Sequence, residues 1–583
     1  MRRAIAFAWV LALPQIAAAD EQILTFDGEV PDDGLDHAFV EFEVPMGTLE
    51  IEVRHDDLSE ANILDWGLED PQGFRGWGGG NEEPAVVAAA AASRSYLTGA
   101  IEPGTWRVII GKALVVESPA SYHLEVVLRD VQTLAPQPER TPYVAAPALA
   151  GGRRWYAGDL HVHSRESGDA RPPLEEIAAF ARSRGLDFVE LSDHNVLSQL
   201  DFIAAAQADH PDLLLMPGME FTTYGGHANA IGATTWVDHK IGQPEVTIAG
   251  AFAAIQDQGA LVSINHPALA LGNACLGCAW EHEIDPLQID AVEIATTGLD
   301  QGGHLFDGQA IAFWDDLCDA GAHAAAVGGS DDHRAGVDLG GFQSPIGDPT
   351  TMVLADELSV AAILAAIRDS KTVVKLQGPD DPMVELTAAR EYTGDTVYAD
   401  APVSYDVLVT GGVGLELRAV YDGASQAATS IDADPFSWSF TRTSPASGEI
   451  RTRVEIIDPA MNGGRRVVTS HIWQRACADG NCSDPSGGDE SSGSGGSTGG
   501  TSGAADTSGT GVDGSGGTSG TTAAAADDDG AGGCGCRSGW QGAPPWWAVL
   551  LLPWRRRQRS GVRREPPRER GVVSRRRADS ATA

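Results

Sequence analysis

Asp159-Leu160-His161-Val162-His163-Ser164 is the stretch from which the fold and the chemistry are read. It follows an apolar run with strand character. In a strand, residues i and i+2 point the same way, so His161 and His163 aim at one point. Asp331-Asp332-His333 offers the same spacing directly after the apolar run 324–327. Asp193-His194 ends a run at 188–192, Glu220 follows one at 213–216, and His266 ends one at 261–264. His227 lies in a further strand-like stretch, 226–232. Five separate elements thus each deliver His, Asp or Glu at the C-terminal end of a strand. In an α/β barrel, that end is where active sites are built. Imidazole and carboxylate without thiolate suit Zn, Mn or Fe rather than Ca or Mg alone. Other histidines, including His239, His282, His304 and His323, lack this context and read as ordinary.

Around these motifs, short apolar strands alternate with Ala-rich helical stretches at 174–184, 248–256 and 360–368. The alternation over residues 152–385 predicts an α/β barrel or parallel sheet. Residues 20–135 instead alternate apolar and polar, as in Phe39-Val40-Glu41-Phe42-Glu43-Val44, which predicts a β-sandwich. A Pro/Ala-rich linker covers 136–151, and β character returns over 386–475 as a second small sandwich. Residues 476–533 form a Gly/Ser/Thr/Ala-rich spacer expected to be disordered.

A chain of 583 residues exceeds one core, and its net charge of −42 repels polyanions at long range. No long nucleic acid is expected as a partner; a small-molecule substrate is. Residues 1–19 read as a signal peptide: Arg2 and Arg3, a short apolar run, then Ala17-Ala18-Ala19. Seven cysteines fit an oxidising compartment. Cys477 and Cys482 are spaced to close a small loop, and Cys275-x-x-Cys278 reads as a local disulfide or, less specifically, half a zinc site. Cys318 has no evident partner.

Asp159-Leu-His-Val-His-Ser164, Ser192-Asp-His194, Gly218-Met-Glu220, Asn265-His-Pro267 and Gly329-Ser-Asp-Asp-His-Arg334 resemble the motifs of the PHP (polymerase and histidinol phosphatase) superfamily. Asp290-Ala-Val-Glu-Ile294, Phe313-Trp-Asp-Asp-Leu317 and Gly378-Pro379 further resemble its CehA/McbA-type metallohydrolase branch. The resemblance covers about residues 152–475. It implies a distorted (βα)7 barrel, flanked here by the two all-β domains, and two or three divalent metals (Mn, Zn or Fe). The implied ligands are His161, His163, Asp169, His194, Glu220, His227, His266, Asp331 and His333, with Glu220 bridging and Asp193 behind a ligand, orienting it. Ile294-Ala-Thr-Thr297 departs from the branch, whose members often carry Asn-Gly after this strand.

A metal pair lowers the pKa of a bound water and supplies hydroxide near neutral pH. Asp331 or Asp193 would relay its proton. Arg334 would hold a phosphate oxygen, or form a rim salt bridge. The expected activity is phosphoester hydrolysis of small phosphorylated substrates. Ester, amide or carbamate hydrolysis stands as the alternative, with a surface binding protein whose metal site is structural as a third reading. Residues 534–583 hold Cys534 and Cys536, an apolar stretch at 543–554 and an Arg-rich end. This tail resembles the sorting tails of myxobacterial surface proteins (MYXO-CTERM type). It implies export to the cell surface or outer membrane, with transient membrane association and possible release by processing; at about half the length of a spanning helix, the apolar stretch suits a processing signal better than an anchor.

Overall fold

The computed structural model describes residues 21–59, 61–296, 304–337, 339, 343–461, 464–477 and 482. The segment expected to be a signal peptide, nearly all of the expected spacer, and residues 534–583 lie outside the described residues.

The N-terminal region packs two four-stranded antiparallel sheets face to face. One holds Glu21–Val30, Ala120–Arg129, Glu50–Asp56 and Ala85–Ala88 in that order. The other holds His37–Val44, Gly104–Leu114, Ile63–Asp70 and Gly73–Gly79. Their inward residues form one core that includes Phe42, Ile51, Trp66, Trp106 and Val126.

The central region is built on short strands whose residues are buried on both faces, as Phe188–Leu191, Leu214–Pro217 and Leu261–Ile264 all are. Such strands read as continuous apolar runs because helices or a second layer cover each side. Gly151–Val162, Phe188–Leu191 and Leu214–Pro217 run parallel in one sheet. Glu220–Thr223, Gly226–Ile231, Leu261–Ile264, Ala291–Ala295 and Ala325–Gly328 form a second. Two seams join them. At one, the amides of Ala230 and Gly232 donate to the carbonyls of Met219 and Pro217; at the other, Asp331 donates to the carbonyl of His161 and His163 to that of Asp332.

A regular βα alternation is not what joins these strands. Gly226–Ile231 is antiparallel to both neighbours and follows Glu220–Thr223 through a tight hairpin rather than a helix. The molecule is sheet-rich with few helices. The expected helices are observed as Leu174–Ser183, Ile248–Asp257 and Val360–Arg368. Thr247 and Ser359 cap the last two, their hydroxyls accepting from Gly250 N at 3.1 Å and Ala362 N at 3.2 Å. Two further helices, Leu200–Asp209 and His304–Asp319, were not anticipated from the sequence.

Gly151–Val162 also pairs with Thr350–Glu357, which pairs with Thr372–Lys375 and on to Gly464–Thr469. The sheet therefore runs unbroken from the central strands into the C-terminal β region. A second sheet, including Met383–Ala388, Val403–Thr410 and Phe436–Arg442, packs on it. Val403–Thr410 alternates buried and exposed residues along its whole length, as a strand with one wet face should. Buried Arg453 ties this region to the helix His304–Asp319 through Asp315, with Nη1–Oδ1 at 2.7 Å. No helix among the described residues is long and apolar enough to cross a membrane.

Gly158, mid-strand beside Phe188, has no room for a side chain: a Cβ there would lie 2.2 Å from the Phe188 ring. Gly158→Ala is expected to destabilise the protein by about 1–3 kcal/mol through overpacking. Chemical denaturation measures this; an unchanged midpoint would mean the two strands are not this close.

Candidate metal centre

The rim formed by the strand ends collects the residues expected from the sequence. His161 closes the strand Gly151–Val162, and His163 follows it. His194 follows Phe188–Leu191, and Glu220 opens the strand Glu220–Thr223. Because Gly226–Ile231 runs in reverse, its first turnward residue, His227, reaches the same rim. His266 sits two residues beyond Leu261–Ile264 with φ of +28°, and Asp331 takes φ of +55°. The strand reading of Asp331 and His333 is therefore corrected. Their strand stops at Gly328, and a left-handed residue turns both side chains inward. Asp tolerates this conformation better than most residues, and such backbone clusters at functional sites.

Glu220 is fully buried at the centre. Its carboxylate oxygens lie 3.2 Å from His161 Nε2, 3.5 Å from His163 Nε2, 2.7 Å from His194 Nδ1, 3.2 Å from His227 Nδ1 and 3.4 Å from His266 Nε2. Asp331 Oδ1 lies 3.3 Å from His161 Nε2 and 3.0 Å from His163 Nε2. Asp169, the most exposed member, reaches His333 Nε2 at 3.2 Å and His194 Nε2 at 3.5 Å. All nine expected side chains thus meet in one cluster.

The cluster fits divalent metals. Donor atoms of His161, Glu220 and His266 lie within 4.8 Å of one another, as do those of His161, His163 and Asp331, and those of His163, His194 and His333. The first two sets share His161 and the last two share His163, so the positions are adjacent. His161 Nε2, His163 Nε2, His227 Nε2 and Glu220 Oε2 are buried and make no hydrogen bond. Several lie near a carboxylate yet are misaligned for hydrogen bonding. Buried polar atoms left this way need a partner, and lone pairs converging on shared points are what a cation requires.

A further layer of partners orients these donors, and much of it escaped the sequence reading. Glu293 Oε2 lies 2.8 Å from His161 Nδ1, and Glu293 Oε1 accepts from the His266 amide at 3.2 Å. Its signal was a charged residue inside the buried run Ala291–Ala295. Asn265 Nδ2 donates to Glu220 at 2.9 Å. Asp332, between the two expected ligands, accepts from the amides of Arg334, Gly336 and Ile346 at 2.6, 2.7 and 3.0 Å, and so shapes the loop. Asp193 accepts from Ser164 N at 2.6 Å and Ser164 Oγ at 2.7 Å. Both of its oxygens are thus engaged with Ser164 rather than with a histidine of the cluster. Burial pushes it up to about 7.

The N-terminal sandwich closes one side of the centre. Arg94 Nη1 donates to the Ala170 carbonyl at 3.0 Å, and Ser95 N to Glu166 at 3.0 Å, bracketing the loop that carries Asp169. Tyr224 donates to Asp65 at 2.7 Å. Asp65 is pushed up to about 6 by burial, against the pull of Tyr224 and of His194 nearby. His266, Glu293, Thr296 and Phe306 line a pocket beside the centre that also holds buried Asp307.

No family model and no curated protein matches the chain. Among solved structures, it is similar to a two-domain protein from Bacteroides vulgatus described as containing a predicted PHP-like metal-dependent phosphoesterase. The identity is 19%, covering 56% of this chain and 96% of that one, with a TM-score of 0.32. It is also similar to a metal-dependent phosphoesterase from Bifidobacterium adolescentis, at 16% identity over 36% of this chain and 95% of that one, TM-score 0.24. A third is an amidohydrolase from Chromobacterium violaceum with bound sulfate and no metal, at 18% identity over 31% and 89%, TM-score 0.21. At such identities and TM-scores, the chemistry of the centre is derived from its own geometry.

Two outcomes are expected. Glu293→Gln should weaken metal binding about 10- to 100-fold while the protein stays folded, because His161 loses its orienting partner. Metal titration with circular dichroism checks this, and unchanged affinity would remove Glu293 from the centre. Burial pulls His161 and His194 down, but Glu220 with Asp331 and Asp169 outweighs it and holds both well above the ordinary imidazole value; His333 is raised to about 9 against the same penalty, chiefly by Asp169. At neutral pH the metal-free cluster therefore carries protons that ligation must displace. Affinity should fall as pH is lowered, and calorimetric heats of metal binding should vary with buffer ionisation enthalpy. Heats independent of buffer would contradict this.

Proposed function

We propose that the chain is a metal-dependent hydrolase of the PHP type, with phosphoesters of small molecules as its first substrate class. The carrying observation is the set of adjacent His/carboxylate donor groups that share His161 and His163 around one buried glutamate. Divalent metals bound there would supply Lewis acidity and a nucleophilic water at neutral pH. Adjacent positions suit phosphoryl displacement, in which charge develops on both the entering and leaving oxygens. His161, His163, His194, Glu220, His227, His266, Asp331, His333 and Asp169 would hold the metals.

Asp331 is the proposed proton carrier. It is partly exposed and contacts His161 and His163, whereas both Asp193 oxygens are occupied by Ser164. Arg334, next to His333 on the loop that Asp332 shapes, is assigned to a phosphate oxygen. The eight strands running from Gly151–Val162 to Ala325–Gly328 around the two seams, with the hairpin strands Glu220–Thr223 and Gly226–Ile231 among them, are taken as a distorted form of the (βα)7 ring, close to the CehA/McbA type. The chain is further proposed to be exported by residues 1–19 and held at the cell surface through the MYXO-CTERM-like tail, with a small molecule as its partner and no long nucleic acid.

Asp331→Asn and His163→Ala should each lower metal-dependent turnover by at least about 100-fold, the scale of losing a positioned acid–base group, with both β regions still folded. A panel of aryl phosphates, bis-aryl phosphates, aryl esters and aryl carbamates, each with Mn, Zn or Fe, decides the substrate class. Turnover of carbonyl substrates without phosphate release would replace the phosphoesterase reading with the carbamate or ester one. Metal binding without turnover of any substrate would favour a structural site.

A further inference from the structure

A fourth donor set at the centre includes a residue with no part in the proposed hydrolysis. Cys278 Sγ, one nitrogen of His227 and one of His266 lie within 4.8 Å of one another, and all three residues are buried. Cys278 is bonded to Cys275, so its sulfur is not available as a thiolate. Two observations point to a ligand here independently of the cysteine. His227 Nε2 is buried with no hydrogen-bond partner, while its Nδ1 faces Glu220 at 3.2 Å. His266 Nδ1 donates to the Cys278 carbonyl at 2.9 Å, which leaves the Nε2 lone pair directed at the cluster.

The loop is held independently of the disulfide. Gly277, at φ of +73°, lies so close to the hairpin that a Cβ there would be 2.5 Å from the Thr223 carbonyl oxygen. Trp280 N donates to the Pro267 carbonyl at 3.1 Å, and His282 Nε2 lies 2.7 Å from Thr223 Oγ1. Opening the disulfide therefore leaves Cys278 beside the two histidines.

We infer that Cys278 is a latent metal ligand, delivered to the position of His227 and His266 when the Cys275–Cys278 bond is opened. This rests on the metal-centre reading above. A dithiol reductant balances the step: two electrons and two protons pass to the sulfurs, the S–S bond breaks into two thiols, and the reductant closes its own disulfide. On ligation the Cys278 thiol gives its proton to solvent. A thiolate among imidazoles shifts the preference of a site toward Zn and away from Mn. The oxidation state of one bond would then set which metal the centre prefers.

The test uses cobalt(II) in the full chain. Cys275→Ser leaves Cys278 free without any reductant, and Cys278→Ser removes the sulfur. Cobalt-loaded Cys275→Ser should gain a near-ultraviolet thiolate-to-cobalt charge-transfer band that oxidised wild type and Cys278→Ser lack. Wild type should gain it on dithiol treatment and lose it on reoxidation, which serves if Cys275→Ser does not fold. Alkylation with peptide mass analysis reports the state of Cys278 in each sample. Cobalt bound beside a demonstrably free Cys278, without the band, overturns the inference and leaves the metal centre standing. Cobalt bound by none of the three proteins sinks the metal centre and this inference with it.

Discussion

One buried carboxylate facing five imidazoles is the interaction on which the rest of this structure depends. Glu220 has no solvent exposure, and a lone charge in that position would be costly. Burial would raise its pKa, but His161, His194 and His227 outweigh that and hold it well below the ordinary range. The five imidazoles come from four parts of the chain, His161 and His163 sharing one strand end. The charge can be stabilised only if the strand ends carrying His161, His194, His227 and His266 all arrive together. The architecture is therefore coupled to the site: the reversed strand Gly226–Ile231, the left-handed residues at 266 and 331, and the two seams between sheets all serve to place these groups.

The flanking β regions are bound into this arrangement. The N-terminal sandwich holds the loop bearing Asp169 through Arg94 and Ser95, and presents Asp65 to Tyr224. Phe74 stacks on Trp236, with ring centroids 4.1 Å apart. Asp169 has few contacts of its own and is the most exposed of the nine, so its position depends on what brackets its loop. At the other end, the sheet runs without interruption into the C-terminal region. Arg453, Asp315 and Glu455 form a buried ion network there, with Arg453 Nε 3.1 Å from Glu455. Such networks cost desolvation and are tolerated when every charge is paired.

The sequence was most legible where chemistry and local geometry coincide. His161 and His163 could be paired because strand periodicity fixes where i and i+2 point. His194, Glu220 and His266 could be placed because each follows a short apolar run. Glu293 and Asp332 were missed for opposite reasons. Glu293 sits inside a buried strand, where a charge signals that a partner exists but not which one; His161, 132 residues away in sequence, is seen beside it only in the fold. Asp332 was given no role between two expected ligands, and only the fold reveals that it gathers three amides. Asp193 shows the converse: adjacency to His194 implied a role at the metal, but its strand end turns it toward Ser164. The helices Leu200–Asp209 and His304–Asp319 carry weaker apolar periodicity than the three that were anticipated.

The sequence alone determined the kind of chemistry the chain can support, because imidazole and carboxylate at repeated strand ends restrict the ligand type whatever the exact topology. It also determined the β character of both flanks, since an alternating pattern over short segments has few other solutions. Tertiary structure decided the rest: which carboxylate lies at the centre, which acid orients a ligand instead of binding, how the sandwich reaches Asp169, and where Cys278 sits relative to His227 and His266. These are distances between residues far apart in the chain. They follow from how sheets twist, join and pack, and no local pattern encodes them.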